Sequence, residues 1–104
     1  MNNEIDFDRI SREEVRWRLL RVLDAGRPLP VGETLVFRAM HDVSLPLTPR
    51  ELRRELDYLE GLELVVIEEK DAPEWLSRLT ARGVDVVEYS VAAPAGIKRP
   101  RKYW

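Results

Sequence analysis

The sequence predicts an α+β fold in which three helices precede a β-hairpin and a short fourth helix, and three observations carry that reading. A segment capped by Thr48-Pro49-Arg50-Glu51 stops near Gly61, a β-branched run Leu64-Val65-Val66-Ile67 follows at once, and Leu79-Thr80-Ala81-Arg82-Gly83 leads back into helix. Thr48 and Glu51 have the reciprocal spacing of a capping box. Pro49 suits a first helical turn, because the N–H that proline lacks would find no helical partner there.

From the N-terminus, Ser11 and Glu14 have capping-box spacing, and Val15, Leu19, Val22 and Leu23 recur at helical intervals up to Ala25-Gly26. They predict a first helix over residues 12–25. Trp17 and Leu20 lie off that stripe, three residues apart, and mark either a contact with a partner, such as a second copy, or burial beneath the hairpin or chain end. Arg27-Pro28-Leu29-Pro30 is an extended connector, since each proline turns its predecessor away from helix. A second helix over 33–43 places Leu35, Val36, Ala39, Met40 and Val43 on one broad face, with Phe37 and His41 toward the other. Apolar nearly all round, it is expected to be deeply packed. His41 reads as a surface or internally satisfied residue. Ser44-Leu45-Pro46-Leu47 breaks the helix and is longer than the connection of a tight helix-turn-helix.

In the third helix Leu52, Leu56 and Leu59 form an inward stripe. At 3.6 residues per turn, Arg50, Arg53, Arg54 and Asp57 fall in a sector of about 100° pointing away from it. Residues 64–69 read as a strand, 70–74 as a turn through Asp71 and Pro73, and 75–79 as the return strand. The alternative is a helix that starts at Pro73 and runs to Arg82. Thr80 caps a last helix to about residue 89, with Val84, Val87 and Val86 inward. Past Ser90 no period remains, so the chain divides into a domain over 1–90 and an extended basic tail over 91–104.

Length and composition restrict function. With 104 residues, no cysteine and one histidine, the chain is one domain without disulfides, thiolate metal sites or a histidine dyad. Neither a nucleotide-binding glycine loop nor a catalytic constellation is present, so an enzyme, a cofactor, a metal and a small-molecule ligand are not expected. Residues 1–8 lack the apolar core of a secretory signal and no apolar run reaches membrane-spanning length, which makes the cytoplasm the expected compartment. Net charge is −2, from 17 basic and 19 acidic residues, but it is segregated. Residues 63–74 hold Lys70 against Glu63, Glu68, Glu69, Asp71 and Glu74, while 91–104 hold Lys98, Arg99, Arg101 and Lys102 and no acid.

The segment from Arg50 through Glu51-Leu52-Arg53-Arg54-Glu55-Leu56-Asp57-Tyr58-Leu59-Glu60-Gly61 to Val65 resembles the recognition helix and first wing strand of winged helix-turn-helix regulators. Leu79-Thr80-Ala81-Arg82-Gly83 resembles the step that leads out of the wing in many of them. Taken whole, with Gly83-Val84-Asp85-Val86-Val87-Glu88-Tyr89 and the ending Pro94-Ala95-Gly96-Ile97-Lys98-Arg99-Pro100-Arg101-Lys102-Tyr103-Trp104, the chain is similar to small winged-helix proteins of Mu-like prophages. The resemblance implies a small phage or prophage transcriptional regulator that reads double-stranded DNA with its third helix. Arg50, Arg53, Arg54 and Tyr58 on that helix, and Lys98, Arg99, Arg101 and Lys102 in the tail, are the candidate DNA contacts, with Tyr103 or Trp104 stacking or packing beyond them. One departure is the acidic wing, because acids near phosphates repel. It motivates the competing reading, a protein-association module, either a homodimer through Trp17 and Leu20 or an adaptor in a phage assembly, with no DNA binding.

Overall fold

The first helix starts more than one turn before Ser11. Asp6 accepts a hydrogen bond from the Arg9 N–H at 3.0 Å and caps α1 (Phe7–Ala25), so Ser11 and Glu14 lie inside the helix and cap nothing. The structure, a computed structural model, describes residues 5–102. After α1 come β1 (Val31–Gly32), α2 (Glu33–Asp42), α3 (Pro49–Gly61), β2 (Val65–Glu68), β3 (Leu76–Leu79) and α4 (Ala81–Val87). The expectation for Tyr103 and Trp104 falls outside the described residues.

α1 runs through the middle of the molecule and meets α2, α3, β3 and α4. A helix enclosed on that many sides buries more than one stripe. Of the two readings of Trp17 and Leu20, partner contact or burial, the structure shows burial: they are 5% and 0% exposed, and the Trp17 ring meets Tyr89 edge-on at 6.1 Å. No contact face exists at these two residues. α2 departs in the opposite sense: Val36 and Met40 are buried, but Leu35 is 63% exposed, because α2 packs on α1 and β1 along one side only. His41 Nδ1 lies 3.1 Å from the Phe37 carbonyl oxygen.

Thr48 Oγ1 accepts from the Glu51 N–H at 3.1 Å, and the Glu51 carboxylate accepts from the Thr48 N–H at 2.9 Å, so the capping box of α3 is complete. Leu52, Leu56 and Leu59 are fully buried as the stripe requires.

The sheet is antiparallel in the order β1-β3-β2, with Val65 opposite Leu79 and Ile67 opposite Ser77. Residues 76–79 form the return strand, and the alternative helix from Pro73 does not form. β1 was not expected: two residues are too few to show alternation, yet Val31 pairs with Ser77 and Gly32 with Leu76. Thr80 caps α4 by accepting from the Gly83 N–H at 3.0 Å and also donates to the Glu63 carbonyl at 2.7 Å. A Cβ on Gly83 would stand 2.1 Å from the Leu64 carbonyl oxygen, so α4 and the start of the wing approach backbone to backbone. Val86 and Val87 are buried, with Val84 only half-buried.

The segment after Ser90 forms no helix or strand among the described residues but docks on α1. Ile97 joins the core, the Lys98 N–H donates to the Glu13 carbonyl at 3.1 Å, and Arg16 Nη1 donates to the Gly96 carbonyl at 3.1 Å. Gly96 has φ +91°, and a Cβ there would collide with the Tyr58 hydroxyl.

Candidate nucleic-acid interface

Because its leucines face the core, α3 turns Arg50, Arg54, Asp57 and Gly61 outward, all four exposed. Arg50 and Arg54 stand one turn apart. Arg50 has no hydrogen-bond or ion-pair partner among the described residues, and Arg54 is 59% exposed and donates only through Nε, to Glu55 at 3.3 Å. The terminal nitrogens of Arg54 are left with unused donors.

Arg53 does not share that free face. Its Nε and Nη2 grip the Glu33 carboxylate at 2.5 and 2.8 Å, Nη2 also reaches the Pro73 carbonyl at 3.1 Å, and the guanidinium lies 4.5 Å from the centre of the Trp75 ring. Glu33 in turn accepts from the Trp75 N–H at 3.2 Å. The Arg53 hydrogen bonds, opposed by burial and assisted by the Trp75 N–H, hold the Glu33 carboxyl below its ordinary value, and the same pairing raises Arg53. At 100° per residue Arg53 sits on the shoulder of α3 that faces α2 and the wing, where an acid at the start of α2 is within reach. It bolts three elements together.

On the opposite shoulder Glu55, only 2% exposed, pairs with Arg16 of α1 at 2.7 Å. Arg16 lies 3.7 Å above the Tyr58 ring, so Tyr58, at 36% exposed, presents an edge and not a free face. Arg12, Arg16 and Arg54 border one groove between α1 and α3. Sequence reading passed over Arg12, Arg16 and Glu55, although an acid beside a leucine stripe was a usable signal, since a buried carboxylate needs a base.

In the basic tail, Arg99 turns inward: Nη1 donates to the Val86 and Val91 carbonyls at 2.9 and 2.8 Å, and the guanidinium covers the Tyr89 ring at 4.3 Å. The Nη1 donors thereby tie the tail to the end of α4. Lys98 and Arg101 are exposed, and the Lys102 ammonium lies 5.6 Å from the Tyr89 ring centre.

The acidic wing is fastened down. Lys70 donates to Asp57 at 3.0 Å and Glu60 at 2.7 Å, Trp75 Nε1 donates to the Lys70 carbonyl, and Glu74 accepts from the Thr34 N–H at 2.7 Å. Glu74 thus takes a donor at the start of α2 of the type that binds phosphate in other proteins. Glu69 and Asp71 remain exposed at the tip. Among the described residues no group of His, Asp or Glu is arranged to hold a metal ion, and no helix is long and apolar enough to cross a membrane.

A helical pair α2–α3 set against α1, followed by a hairpin and sealed by the short β1, is a winged helix-turn-helix fold. Among solved structures the chain is similar to RosR of H. salinarum, at 22% identity, with 79% of this chain and 80% of that one covered and a TM-score of 0.61. No family model and no curated protein matches the sequence.

Proposed function

We propose that this chain binds double-stranded DNA, with α3 entering the major groove and Arg50 and Arg54 as its outermost donors. The carrying observation is that pair of exposed guanidiniums, one turn apart on the helix that helix-turn-helix proteins insert into DNA. A guanidinium can grip a phosphate or the O6 and N7 edge of guanine with two parallel hydrogen bonds. Arg53 serves as the bolt that sets the angle of α3 against α2 and the wing. Lys98 and Arg101 supply backbone charge from the tail. The likeness in fold to RosR supports the class, and the role proposed within it is that of a small phage regulator.

The test is a fluorescence-anisotropy titration of the full chain against duplex DNA at several salt concentrations. The expected result is log K falling against log salt with a slope of several units, as displaced counterions require. Arg54→Ala is expected to weaken binding, by about 1–3 kcal/mol at particular sequences if it reads a base and alike for all sequences if it grips a phosphate. Absence of binding at low salt, together with dimers or a captured protein partner in light scattering and pull-downs, would favour the association module instead.

A further inference from the structure

Resting on the DNA-binding reading, we infer that the phosphate backbone runs over the α1 flank of α3, where Arg12 and Arg54 pinch a phosphodiester, and not over the wing. The two flanks of α3 differ in charge and in occupancy. On the wing flank, Arg53 is spent on Glu33, Lys70 is spent on Asp57 and Glu60, and Glu74 covers an amide at the start of α2. That flank leaves Glu69 and Asp71 exposed at its tip, with Arg50 beside Arg53 and Pro73 at its root. A phosphate track over that tip would meet uncompensated negative charge.

The α1 flank is built the other way. A groove of about 500 Å³ runs between α1 and α3, lined by Arg12, Arg16, Arg54, Glu55, Asp57 and Tyr58. Of its two acids, Asp57 pairs with Lys70, which also holds Glu60, and Glu55 is buried. Three guanidiniums thus line the groove around the buried Glu55, and Arg12 and Arg54 keep unused donors there. Glu55 also fixes directions: one of its oxygens receives Nε of Arg16 and the other Nε of Arg54. With Nε tied, the two terminal nitrogens of Arg54 point away as a ready fork. Arg12 has no hydrogen-bond or ion-pair partner among the described residues and borders the same groove one turn before Arg16. Asp8 and Glu51 flank the N-terminal end of the site, and the Glu51 carboxylate is occupied by the Thr48 N–H. A phosphodiester oxygen pair suits two guanidinium forks that border one groove from adjacent helices.

The experiment repeats the salt titration with Arg12→Ala, Arg12→Lys and a wing variant carrying Glu69→Gln and Asp71→Asn, each checked for fold by circular dichroism. Arg12→Ala is expected to lower the salt slope by about one unit and to weaken binding alike for all duplex sequences. Arg12→Lys keeps the slope but binds several-fold less tightly, because a point charge replaces a fork. The wing variant is expected to bind within about twofold of the parent, because its removed charges lie outside the groove lining. Unchanged slope and affinity in Arg12→Ala, or binding at least tenfold tighter in the wing variant, would overturn the inference while DNA binding itself stands. A parent chain that binds no DNA would remove the underlying reading and the inference with it. Inorganic phosphate alone is the remaining arm: if it competes duplex off at concentrations where sodium chloride of equal ionic strength does not, the groove is a small-anion site and the backbone track is wrong.

Discussion

Glu55 occupies the same side of α3 as Leu52, Leu56 and Leu59, in a place where an unpaired carboxylate would cost several kcal/mol. Arg16 makes the position tolerable and at the same time holds Gly96 of the tail. Replacing Arg16 by Ala should therefore destabilise the chain by about 3 kcal/mol in urea unfolding, the order expected when a buried carboxylate loses the shorter of its two ion pairs. Arg50→Ala should stay within about 0.5 kcal/mol of the parent, as exposed substitutions without partners do. Arg53→Ala should lower the melting temperature visibly where Arg50→Ala does not, because Arg53 ties α3 to Glu33 and Pro73. The helical wheel placed Arg50, Arg53 and Arg54 together correctly in angle. What it could not contain was the position of Glu33, which arrives from another helix and takes one of the three out of the set.

Elements were legible in proportion to their local determinants. α3 was read from its capping box, proline and leucine stripe, all within one segment, and its start is correct. Thr48→Ala should remove that cap at a cost of about 1 kcal/mol in thermal or urea unfolding. The start of α1 was misread because Ser11 and Glu14 mimic a cap, whereas Asp6 is the residue whose side chain meets a backbone N–H. β1 exists only by virtue of its pairing with β3, which no local pattern of two residues can announce. The Leu-Thr-x-x-Gly step, by contrast, has a steric cause: Gly83 faces the Leu64 carbonyl oxygen with no room for a side chain. Gly83→Ala should destabilise by about 1–3 kcal/mol, and by more if the wing root cannot shift, measured by the same unfolding assay.

For the molecule as a whole, charge is organised by flank more than by sequence segment. The acidic hairpin and basic tail were visible in the composition, but the tail's Arg99 is turned inward and the guanidiniums that line the α1 groove are those of Arg12, Arg16 and Arg54, which the linear count disperses. Acid should loosen the clamps on the wing flank first. Glu33 is held below the ordinary carboxyl value near 4.5 by Arg53, and Glu60 is held below it although burial alone would push it up, through hydrogen bonds from Lys70 and the Ile67 N–H. A depressed carboxyl contributes its stabilisation in full above the unfolded value and loses it as pH falls through the folded one. Melting temperature should thus be level from neutrality down to about pH 5 and decline below about 4.5, with Glu33→Gln showing a shallower decline.

The account turns on α3 meeting DNA through its outward face from the side of α1. Amide chemical-shift mapping of the full chain on titration with duplex DNA tests that most directly. The predicted result is a continuous patch of perturbed amides covering Arg50, Arg54 and Arg12, with the hairpin tip around Glu69 and Asp71 unmoved. Perturbations confined to the hairpin, or spectra that do not change on adding duplex, would contradict it.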